Sequence, residues 1–489
     1  MAKYLFIFQI FILYSYTSMC RQNININLQN AIDQIAQKPF YKHASLGISV
    51  RDLTNGALKA SIEKDRMLMP ASSLKLITTL IGCELLSPEF RFETNVSYDG
   101  VIDRDGTLKG NIYIEGSGDP TLGSSRIPGN MDAETLFRQI VTDIRACGIF
   151  CIEGDIVADE SVFNSFPISP SWQWNDLGNY YAAGAWGLNV NENVYSIYYD
   201  SNGPIGSMSK LVYFEPFVPN LELSNEVTID SQGTGDNSYI FGGPYHYGKR
   251  VVGTIPQGRN LYKIKGSLPD PPLYFAYRIF TELDRNKMGG HQYKTQYHPS
   301  SLKSSRKKIS SYLSPQLKTI VRYTNDYSIN IYCESILKML GLKKRNSGAG
   351  SDGISVINTY LKKKGLDTAP LHMEDGSGLS SRNLMSPDFM AEFLQVYMMG
   401  KDIGSIVSMI PLVGERGTVK NTLRNSKAKG NIWLKSGSMD KTLTYAGICK
   451  GASGRFTSFS VFLNASPAKK NRENKIELEK ILEAIYRFS

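Results

Sequence analysis

The sequence contains few of the residues that hold metal ions. Its 489 residues include five histidines and six cysteines, and it has no His-Glu-x-x-His motif and no paired Cys/His spacing typical of zinc sites. A Gly-Lys-Ser/Thr phosphate loop is also missing. The sequence therefore predicts no metal and no cofactor, and it gives no sign of P-loop nucleotide chemistry.

Long apolar runs are missing as well. The stretch from residue 4 to residue 14 is shorter than the roughly 20 residues that cross a bilayer. It follows Lys3 and precedes small and polar residues up to Cys20, which is the pattern of a secretory signal peptide over residues 1–20. We therefore expect an exported, periplasmic protein. Cys20 leaves a lipid-anchored N-terminus open, and this is the one membrane association we expect.

The cysteines after the leader do not indicate a disulfide framework, because their number is odd and they are scattered: Cys83, Cys147, Cys151, Cys333 and Cys449. Cys147 and Cys151 flank a short turn and could pair in an oxidising compartment. An equally good interpretation is that all five are small buried hydrophobic residues.

The charge is too evenly distributed to indicate a nucleic-acid partner. Lys and Arg number 55 against 45 Asp and Glu, a net charge of +10, but the excess forms no long basic arm. With 42% hydrophobic residues the chain can bury a large core, and its length suggests about three domains. No nucleic acid is expected to bind.

Hydrophobic periodicity predicts a mixture of helices and strands. The N-terminal part shows a helix over residues 28–37, a hairpin over 44–62 and a helix that starts near Ser72 and ends before Pro88. Short alternating stretches then surround one helix at 133–146, and residues 191–265 are strand-like throughout. The fold class is therefore α+β.

The C-terminal part is mainly helical before three closing strands. Residues 300–311 are Ser-rich and basic, and we interpret them as a solvated loop. One predicted helix, at 271–283, precedes this loop. The elements predicted after it are helices at 320–340, 353–364, 386–399 and 475–488, and strands at 432–435, 443–450 and 456–464.

Ser72 and Lys75 are the first candidates for chemistry. At positions i and i+3 of a helix their side chains share a face, so an amine can take the proton of the hydroxyl. The lysine must then be partly neutral near pH 7, which requires its pKa to be lowered by burial and a neighbouring positive charge. A serine at a helix N-terminus also has backbone N–H groups available for an oxyanion. The alternative is an ordinary N-cap serine.

Two downstream segments favour the catalytic interpretation. Ser328-Ile329-Asn330 begins a helical turn, and Lys435-Ser436-Gly437-Ser438 ends a strand. Ser-x-Asn and Lys-Ser/Thr-Gly are the other elements of serine enzymes that act on penicillin-like and D-Ala-D-Ala substrates. All three motifs occur in the required order. A Gly-x-Ser-x-Gly elbow is not found, which argues against an α/β-hydrolase esterase.

On these motifs the chain resembles the D-alanyl-D-alanine carboxypeptidase/endopeptidase family of low-molecular-mass penicillin-binding proteins. Further familiar segments are Pro70-Ala71-Ser72, Gly116 to Leu122 and Asp375 to Leu379, and the 256 positions from Ser72 to Ser328 suit members with a large insertion. The resemblance implies a penicillin-binding transpeptidase-like domain, made of an antiparallel sheet with helices plus an all-helical part, at residues 21–93 and 306–489. It also implies an inserted α+β domain at 94–190 and 266–305, carrying a small β domain at 191–265.

The resemblance implies a role for each motif residue. Ser72 is the expected nucleophile and Lys75 its general base, while Ser328 relays a proton to the leaving amine and Asn330 orients Lys75 and the substrate amide. Lys435 helps to keep Lys75 neutral and attracts the substrate carboxylate.

The remaining implied roles concern substrate binding. The Ser436 hydroxyl is expected to bind the terminal carboxylate, Gly437 lies in the binding strand, and the N–H groups of Ser72 and Ser438 form the oxyanion hole. Asp159 could meet the free amine of a peptidoglycan cross-link, although a turn-forming aspartate is the simpler interpretation.

Two departures from the family pattern leave an alternative open. Ile329 stands where Asp is frequent, and Ser436 where Thr is usual, yet neither change removes a reacting atom. The prediction is an exported serine D,D-peptidase whose partners are peptidoglycan peptide stems, with β-lactams as covalent inhibitors. The alternative is a catalytically degenerate wall-binding or scaffold protein of the same fold.

Overall fold

The computed structural model describes residues 25–163, 166–300, 303, 305–469 and 471–489. The predicted signal peptide and Cys20 lie outside these residues. Within them, no helix combines the length and the apolar character needed to cross a membrane.

The described chain contains α-helices and several 3₁₀ turns. The α-helices are α1 (Ile26–Ala36), α2 (Lys75–Leu86), α3 (Ala133–Ala146), α4 (Pro271–Arg285), α5 (Leu317–Tyr327), α6 (Asn330–Arg345), α7 (Gly350–Lys363), α8 (Pro387–Met398), α9 (Ile403–Val407) and α10 (Asn471–Phe488).

The strands of the described chain are distributed over six sheets. They are β1 (Ser45–Asp52), β2 (Leu58–Ile62), β3 (Glu93–Tyr98), β4 (Val101–Ile102), β5 (Thr107–Lys109), β6 (Ile112–Glu115), β7 (Cys151–Ile152), β8 (Ile156–Asp159), β9 (Val194–Asp200), β10 (Lys210–Glu215), β11 (Glu222–Asp230), β12 (Asn237–Phe241), β13 (Gly248–Pro256), β14 (Tyr262–Ser267), β15 (Tyr293–Gln296), β16 (Lys307–Leu313), β17 (Leu371–His372), β18 (Leu384–Met385), β19 (Ile432–Met439), β20 (Thr442–Lys450) and β21 (Phe456–Asn464).

The chain divides into two compact units. The first contains the described residues up to Ser73 together with Lys364–His372 and Leu384–Ser489, and the second contains Leu74–Lys363 and Met373–Asn383. The domain boundaries expected from the sequence, at residues 93, 190, 265 and 305, remain predictions.

The first unit is built on a five-stranded antiparallel sheet with the order β19-β20-β21-β1-β2. Nearly every residue along β20 and β21 is buried. Because successive side chains of a strand point to opposite faces, both faces of this sheet are covered. Helix α8 packs against β1 and β21, and α10 packs against β20 and α1. The N-terminal hairpin and the three C-terminal strands thus form one sheet.

The second unit combines a helical part with small sheets. Helices α2, α5, α6 and α7 pack on one another. A five-stranded sheet has the order β15-β8-β6-β3-β16, and three-stranded sheets are formed by β4-β5-β7, β10-β9-β14 and β11-β13-β12. Helices α3 and α4 pack together and contribute to a shared apolar core with these strands. The strand-rich character predicted for residues 191–265 is confirmed.

Two expectations about local structure are wrong. The single helix predicted at residues 320–340 is broken at Ser328, whose φ of 59° belongs to the left-handed region; a residue in that conformation ends a right-handed helix. The basic loop predicted at 300–311 contains part of β16, which pairs antiparallel with β3. Its polar side chains suit the exposed edge of a sheet. The interpretation that all five cysteines are buried is also wrong for two of them: Cys147 and Cys151 are exposed free cysteines, whereas Cys83, Cys333 and Cys449 are buried.

Candidate active site

Ser72 stands at the start of a helical segment. Residues Ala71–Leu74 form a 3₁₀ turn and α2 follows directly at Lys75. Ala71 has a φ of 45°, a backbone conformation that is strained for a residue with a side chain and that is frequent at functional sites. Ser72 is partly exposed, whereas residues 73–83 are buried. The hydroxyl-bearing residue of the first motif is therefore accessible.

The turn that carries Ser72 is fixed to the sheet of the first unit. The Pro70 carbonyl accepts hydrogen bonds from Ser73 Oγ at 2.6 Å and from Thr444 Oγ1 at 2.7 Å. Thr444 is a fully buried residue of β20. Because one carbonyl accepts both hydroxyls, the turn cannot rotate without breaking two buried hydrogen bonds.

Gly437 of β19 lies against the Ser72 backbone. A Cβ atom at Gly437 would lie 2.7 Å from the Ser72 nitrogen and 2.4 Å from Thr444 Oγ1. Both distances are shorter than van der Waals contact, so the strand approaches the nucleophile turn this closely only because residue 437 has no side chain. The structure thus brings the third motif to Ser72.

The other residues of this motif differ in exposure. Lys435 is fully buried and its Nζ donates to the Ser436 carbonyl at 2.5 Å. The Ser436 hydroxyl lies 2.7 Å from Thr418 Oγ1. Ser438 is exposed, and its hydroxyl accepts from Asn471 Nδ2 at 2.8 Å. Hydroxyl and amide groups therefore line the exposed side of this strand.

Lys75 is fully buried and belongs to the second unit. Its Nζ donates to Asn330 Oδ1 at 2.6 Å and to the Ser377 carbonyl at 2.6 Å. Burial lowers the pKa of Lys75 below its ordinary value, and the nearby Asp375 and Glu334 carboxylates act in the opposite direction. A buried amine whose charged form is disfavoured is suited to act as a base.

The second motif lies at the junction of α5 and α6. Ser328 is the left-handed residue that ends α5, and Asn330 is the first residue of α6. Asn330 uses both ends of its amide, because Nδ2 donates to the Tyr181 carbonyl at 2.6 Å while Oδ1 accepts from Lys75. Its orientation is therefore fixed. Ser328 is partly exposed two positions earlier.

Sequence reasoning missed three contributors. Thr418 bonds Ser436 from outside the motifs, and no sequence pattern marks it. Ser377 lies in a segment that we expected to be only a structural turn, yet its carbonyl accepts from Lys75. Glu334 lies one helical turn after Asn330 on α6, so the i, i+4 spacing could have placed it on the same face.

Asp159 is buried and already has partners. Its carboxylate accepts from Ser161 Oγ at 2.6 Å and pairs with Arg306 Nη1 at 2.7 Å. Although burial opposes ionisation, these hydrogen bonds and the nearby Lys303 ammonium hold the pKa of Asp159 below its usual range. A direct contact between Asp159 and a substrate amine remains a prediction.

Replacing Asp159 with Asn distinguishes the two roles. Because the Arg306 side chain is only 3% exposed, we expect loss of its charged partner to lower the free energy of unfolding by about 3 kcal/mol. Denaturant unfolding measures this, and Asp155→Asn is the control because the Lys294 partner of Asp155 is half exposed and its loss should cost below about 1 kcal/mol. An unchanged unfolding curve with a raised KM for a cross-linked substrate would instead favour substrate contact.

The motif residues thus fall into two sets of contacts. In the first unit Gly437 of β19 lies against the Ser72 backbone. In the second unit Asn330 accepts a hydrogen bond from the Lys75 amine. The chain itself joins Ser72 to Lys75 across two residues of one helical segment. A hydroxyl, a buried amine and a row of hydrogen-bond donors are the groups required for acyl transfer through a serine.

A family model decides the classification. The model of the D-Ala-D-Ala carboxypeptidase 3 (S13) family matches residues 28–484. The chain belongs to this family. The predicted resemblance is confirmed, and with it the prediction of a serine-type D-Ala-D-Ala peptidase that acts on peptidoglycan. The generic esterase interpretation is thereby excluded.

Individual relatives of this S13 peptidase cover most of its length. It is 26% identical over 470 residues to the D-alanyl-D-alanine carboxypeptidase of Actinomadura sp. strain R39, covering 89% of this chain and 81% of that protein. It is 22% identical over 452 residues to a D-alanyl-D-alanine carboxypeptidase of Haemophilus influenzae, with 90% and 88% coverage.

Solved structures support the fold. The crystal structure of penicillin binding protein 4 from Haemophilus influenzae matches with a TM-score of 0.79 at 21% identity, over 93% of this chain and 98% of that one. The same protein complexed with a β-lactam matches with a TM-score of 0.74 at 19% identity, over 94% and 99%. The predicted α+β, penicillin-binding transpeptidase-like fold is confirmed.

Proposed function

We propose that this S13 peptidase cleaves D-Ala-D-Ala termini, D-Ala cross-links, or both, of peptidoglycan stems through an acyl-enzyme on Ser72. The observation that carries the proposal is the buried Lys75 amine, which is held by the second motif three residues after an accessible serine. The family assignment supports the reaction class, and the geometry supports the choice of residues.

Acylation begins with a proton transfer. Neutral Lys75 takes the proton of Ser72 Oγ, and the oxygen attacks the carbonyl carbon of the penultimate D-Ala. The resulting oxyanion accepts from the backbone N–H groups of Ser72 and Ser438. Each such donor typically lowers the barrier by roughly 2.7 to 4 kcal/mol. The C–N bond then breaks as Ser328 relays the proton from Lys75 to the leaving amine.

Deacylation regenerates the enzyme. Water gives a proton to the Lys75 amine and attacks the ester, the Ser72–acyl bond breaks, and the proton returns to Ser72 Oγ. The substrate carboxylate binds to Lys435 and Ser436, and Thr418 joins them because its hydroxyl already contacts Ser436 at 2.7 Å. β-Lactams acylate the same serine and serve as covalent inhibitors.

The protein is expected to act in the periplasm. The leader over residues 1–20 directs export to the periplasm, where peptidoglycan stems are available, and Cys20 provides a lipid anchor if the leader is cleaved before it. Two assays separate the possible activities. Release of free D-alanine from a peptide stem reports carboxypeptidase activity, and cleavage of a cross-linked dimer reports endopeptidase activity.

Covalent labelling tests the proposal directly. The wild-type protein should bind one equivalent of a fluorescent penicillin, detected by gel fluorescence and intact-protein mass. An unlabelled but folded protein would exclude the enzymatic role and favour the alternative, a degenerate wall-binding protein.

Lys75→Met should slow acylation by roughly 10³-fold, because general-base transfer contributes about 10² to 10⁴. Stopped-flow acylation rates measure this. Lys249→Met is the matched control: Lys249 is also buried, its pKa is lowered to about 8 by burial, and it donates to the Gly242 carbonyl at 2.6 Å. Its loss should change stability and leave acylation of the folded protein unchanged. Equal rate losses in both variants would contradict the role of Lys75.

A further inference from the structure

Glu334 of α6 is a buried carboxylate that holds the residue next to the Lys75 amine. Its Oε1 accepts from the Ser377 N–H at 2.7 Å and from the Gly376 N–H at 3.1 Å. The carbonyl of the same Ser377 accepts from Lys75 Nζ at 2.6 Å. One residue therefore connects the carboxylate to the amine, with its N–H facing Glu334 and its C=O facing Lys75.

The peptide segment between these groups has little freedom. The Gly376 carbonyl accepts from Thr78 Oγ1 at 2.8 Å and from Cys333 Sγ at 3.0 Å. A Cβ at Gly376 would lie 3.1 Å from Leu337 Cβ, so the backbone is already closely packed against its neighbours. Loss of the Glu334 carboxylate would remove the acceptor on one side of a tightly packed strand of backbone.

A second carboxylate fixes the same segment from its other end. Asp375 accepts from Trp172 Nε1 at 2.8 Å, Asn383 Nδ2 at 2.9 Å and the backbone N–H groups of Gly378 and Ser380, each at 2.7 Å. Asp375 thus has four donors, whereas Glu334 is satisfied by the two N–H groups of Gly376 and Ser377. The two carboxylates together fix the 375–378 segment through its backbone N–H groups.

We propose that Glu334 is a positioning residue for the S13 reaction, which holds the Ser377 carbonyl against the Lys75 amine and, through its charge, sets how readily that amine becomes neutral. This inference rests on the proposed role of Lys75 as the base. In this role Glu334 acts through Ser377 and Lys75 and does not contact the substrate.

The electrostatics give the direction of the effect. Burial and the neighbouring Asp375 raise the pKa of Glu334 to about 7, so its charge changes near neutral pH. The charged groups that face it are Lys75 from α2, Asp375 from the 375–378 segment and Lys338 from its own helix. The Cys333 thiol also faces it, but burial raises the pKa of this thiol and keeps it neutral. The Lys338 ammonium interacts electrostatically with Glu160 as well as with Glu334.

The sign follows from the charge. An ionised Glu334 favours the ammonium form of Lys75 and so raises the lysine pKa, which makes the base less available. A protonated Glu334 removes this effect. The wild-type enzyme therefore requires a higher pH to generate neutral Lys75 than an enzyme with an uncharged residue at position 334.

Glu334→Gln tests the charge while keeping the length and one acceptor oxygen. Second-order acylation rates with a chromogenic β-lactam, measured from about pH 5 to about pH 9, should show the acid limb displaced to lower pH. At about pH 8, where Glu334 is ionised in the wild-type enzyme, the variant should reach a fraction of its plateau rate roughly threefold or more above that of wild type. An acid limb that coincides with that of wild type would overturn the proposal.

Glu192→Gln is the matched control. Glu192 is a buried carboxylate of the same unit, and its partners are Ser124, Arg126 and Tyr332. Its loss should lower the melting temperature and leave the pH profile of acylation unchanged. A displaced acid limb in this control would mean that any buried charge moves the profile, which would also overturn the specific role of Glu334.

Glu334→Ala separates positioning from charge. It should show the same displacement as Glu334→Gln and a further loss of plateau rate of about 10-fold or more, because the Ser377 N–H then has no acceptor. A plateau equal to that of Gln would contradict the positioning role. These results are distinct from failure of the proposed function, in which the wild-type protein forms no β-lactam adduct at all.

Discussion

Ser72→Ala should abolish the covalent adduct with penicillin and lower D-alanine release by roughly 10⁶-fold, because the reaction loses its nucleophile. The side chain is partly exposed, so the free energy of unfolding should change by no more than about 0.5 kcal/mol. Intact-protein mass after incubation with penicillin, an assay of released D-alanine and calorimetric melting measure the three quantities.

The adjacent serine provides the control. Ser73 has the same hydroxyl one residue later, but it is buried and donates to the Pro70 carbonyl at 2.6 Å. Ser73→Ala should cost about 1 kcal/mol of stability and still form the adduct. An adduct on the Ser72→Ala protein, or its loss only in Ser73→Ala, would contradict the assignment of Ser72.

Gly437→Ala should reduce acylation by about 10²- to 10³-fold, the loss expected when one oxyanion donor is misplaced. The added Cβ would lie 2.7 Å from the Ser72 nitrogen and 2.9 Å from Ala71 Cβ, so the strand and the nucleophile turn must move apart. The displacement alters the Ser72 N–H, which is proposed to hold the oxyanion. Stopped-flow acylation by a β-lactam measures the rate.

Gly47→Ala controls for strain in the same sheet. Its Cβ would lie 2.6 Å from Pro387 Cγ and 2.8 Å from Leu68 Cδ1, so this variant should be destabilised by about 1 to 3 kcal/mol. Its folded fraction should acylate at the wild-type rate. If Gly437→Ala retains the wild-type rate, or if Gly47→Ala loses it equally, the close approach of β19 to Ser72 has no specific role in catalysis.

Helices with a clear amphipathic pattern were predictable from sequence alone. The predicted helix at residues 133–146 is confirmed residue for residue. Its buried residues recur at helical spacing, and Asp132 caps it by accepting from the Thr135 N–H. Both signals are local, so neither depends on the rest of the fold.

Local pattern failed where backbone conformation or pairing depends on distant segments. Residues 317–345 are apolar at helical intervals on both sides of Ser328, and periodicity gives no sign that Ser328 adopts a φ of 59°. Likewise, the basic residues at 307–308 belong to β16 because this segment pairs with the edge of β3. A strand is defined by its partner, which sequence spacing does not reveal.

The sequence by itself determined the order and chemistry of the three motifs, because Ser72 and Lys75 are one helical turn apart and the other motifs have recognisable spacings. Only the tertiary structure decided what surrounds the Lys75 amine. Two of its acceptors come from positions 255 and 302 residues further along the chain, and Glu334 acts on it through the Ser377 backbone. Such contacts depend on the packing of buried segments, because the desolvated amine and carboxylate must be satisfied by whichever groups the fold brings near them.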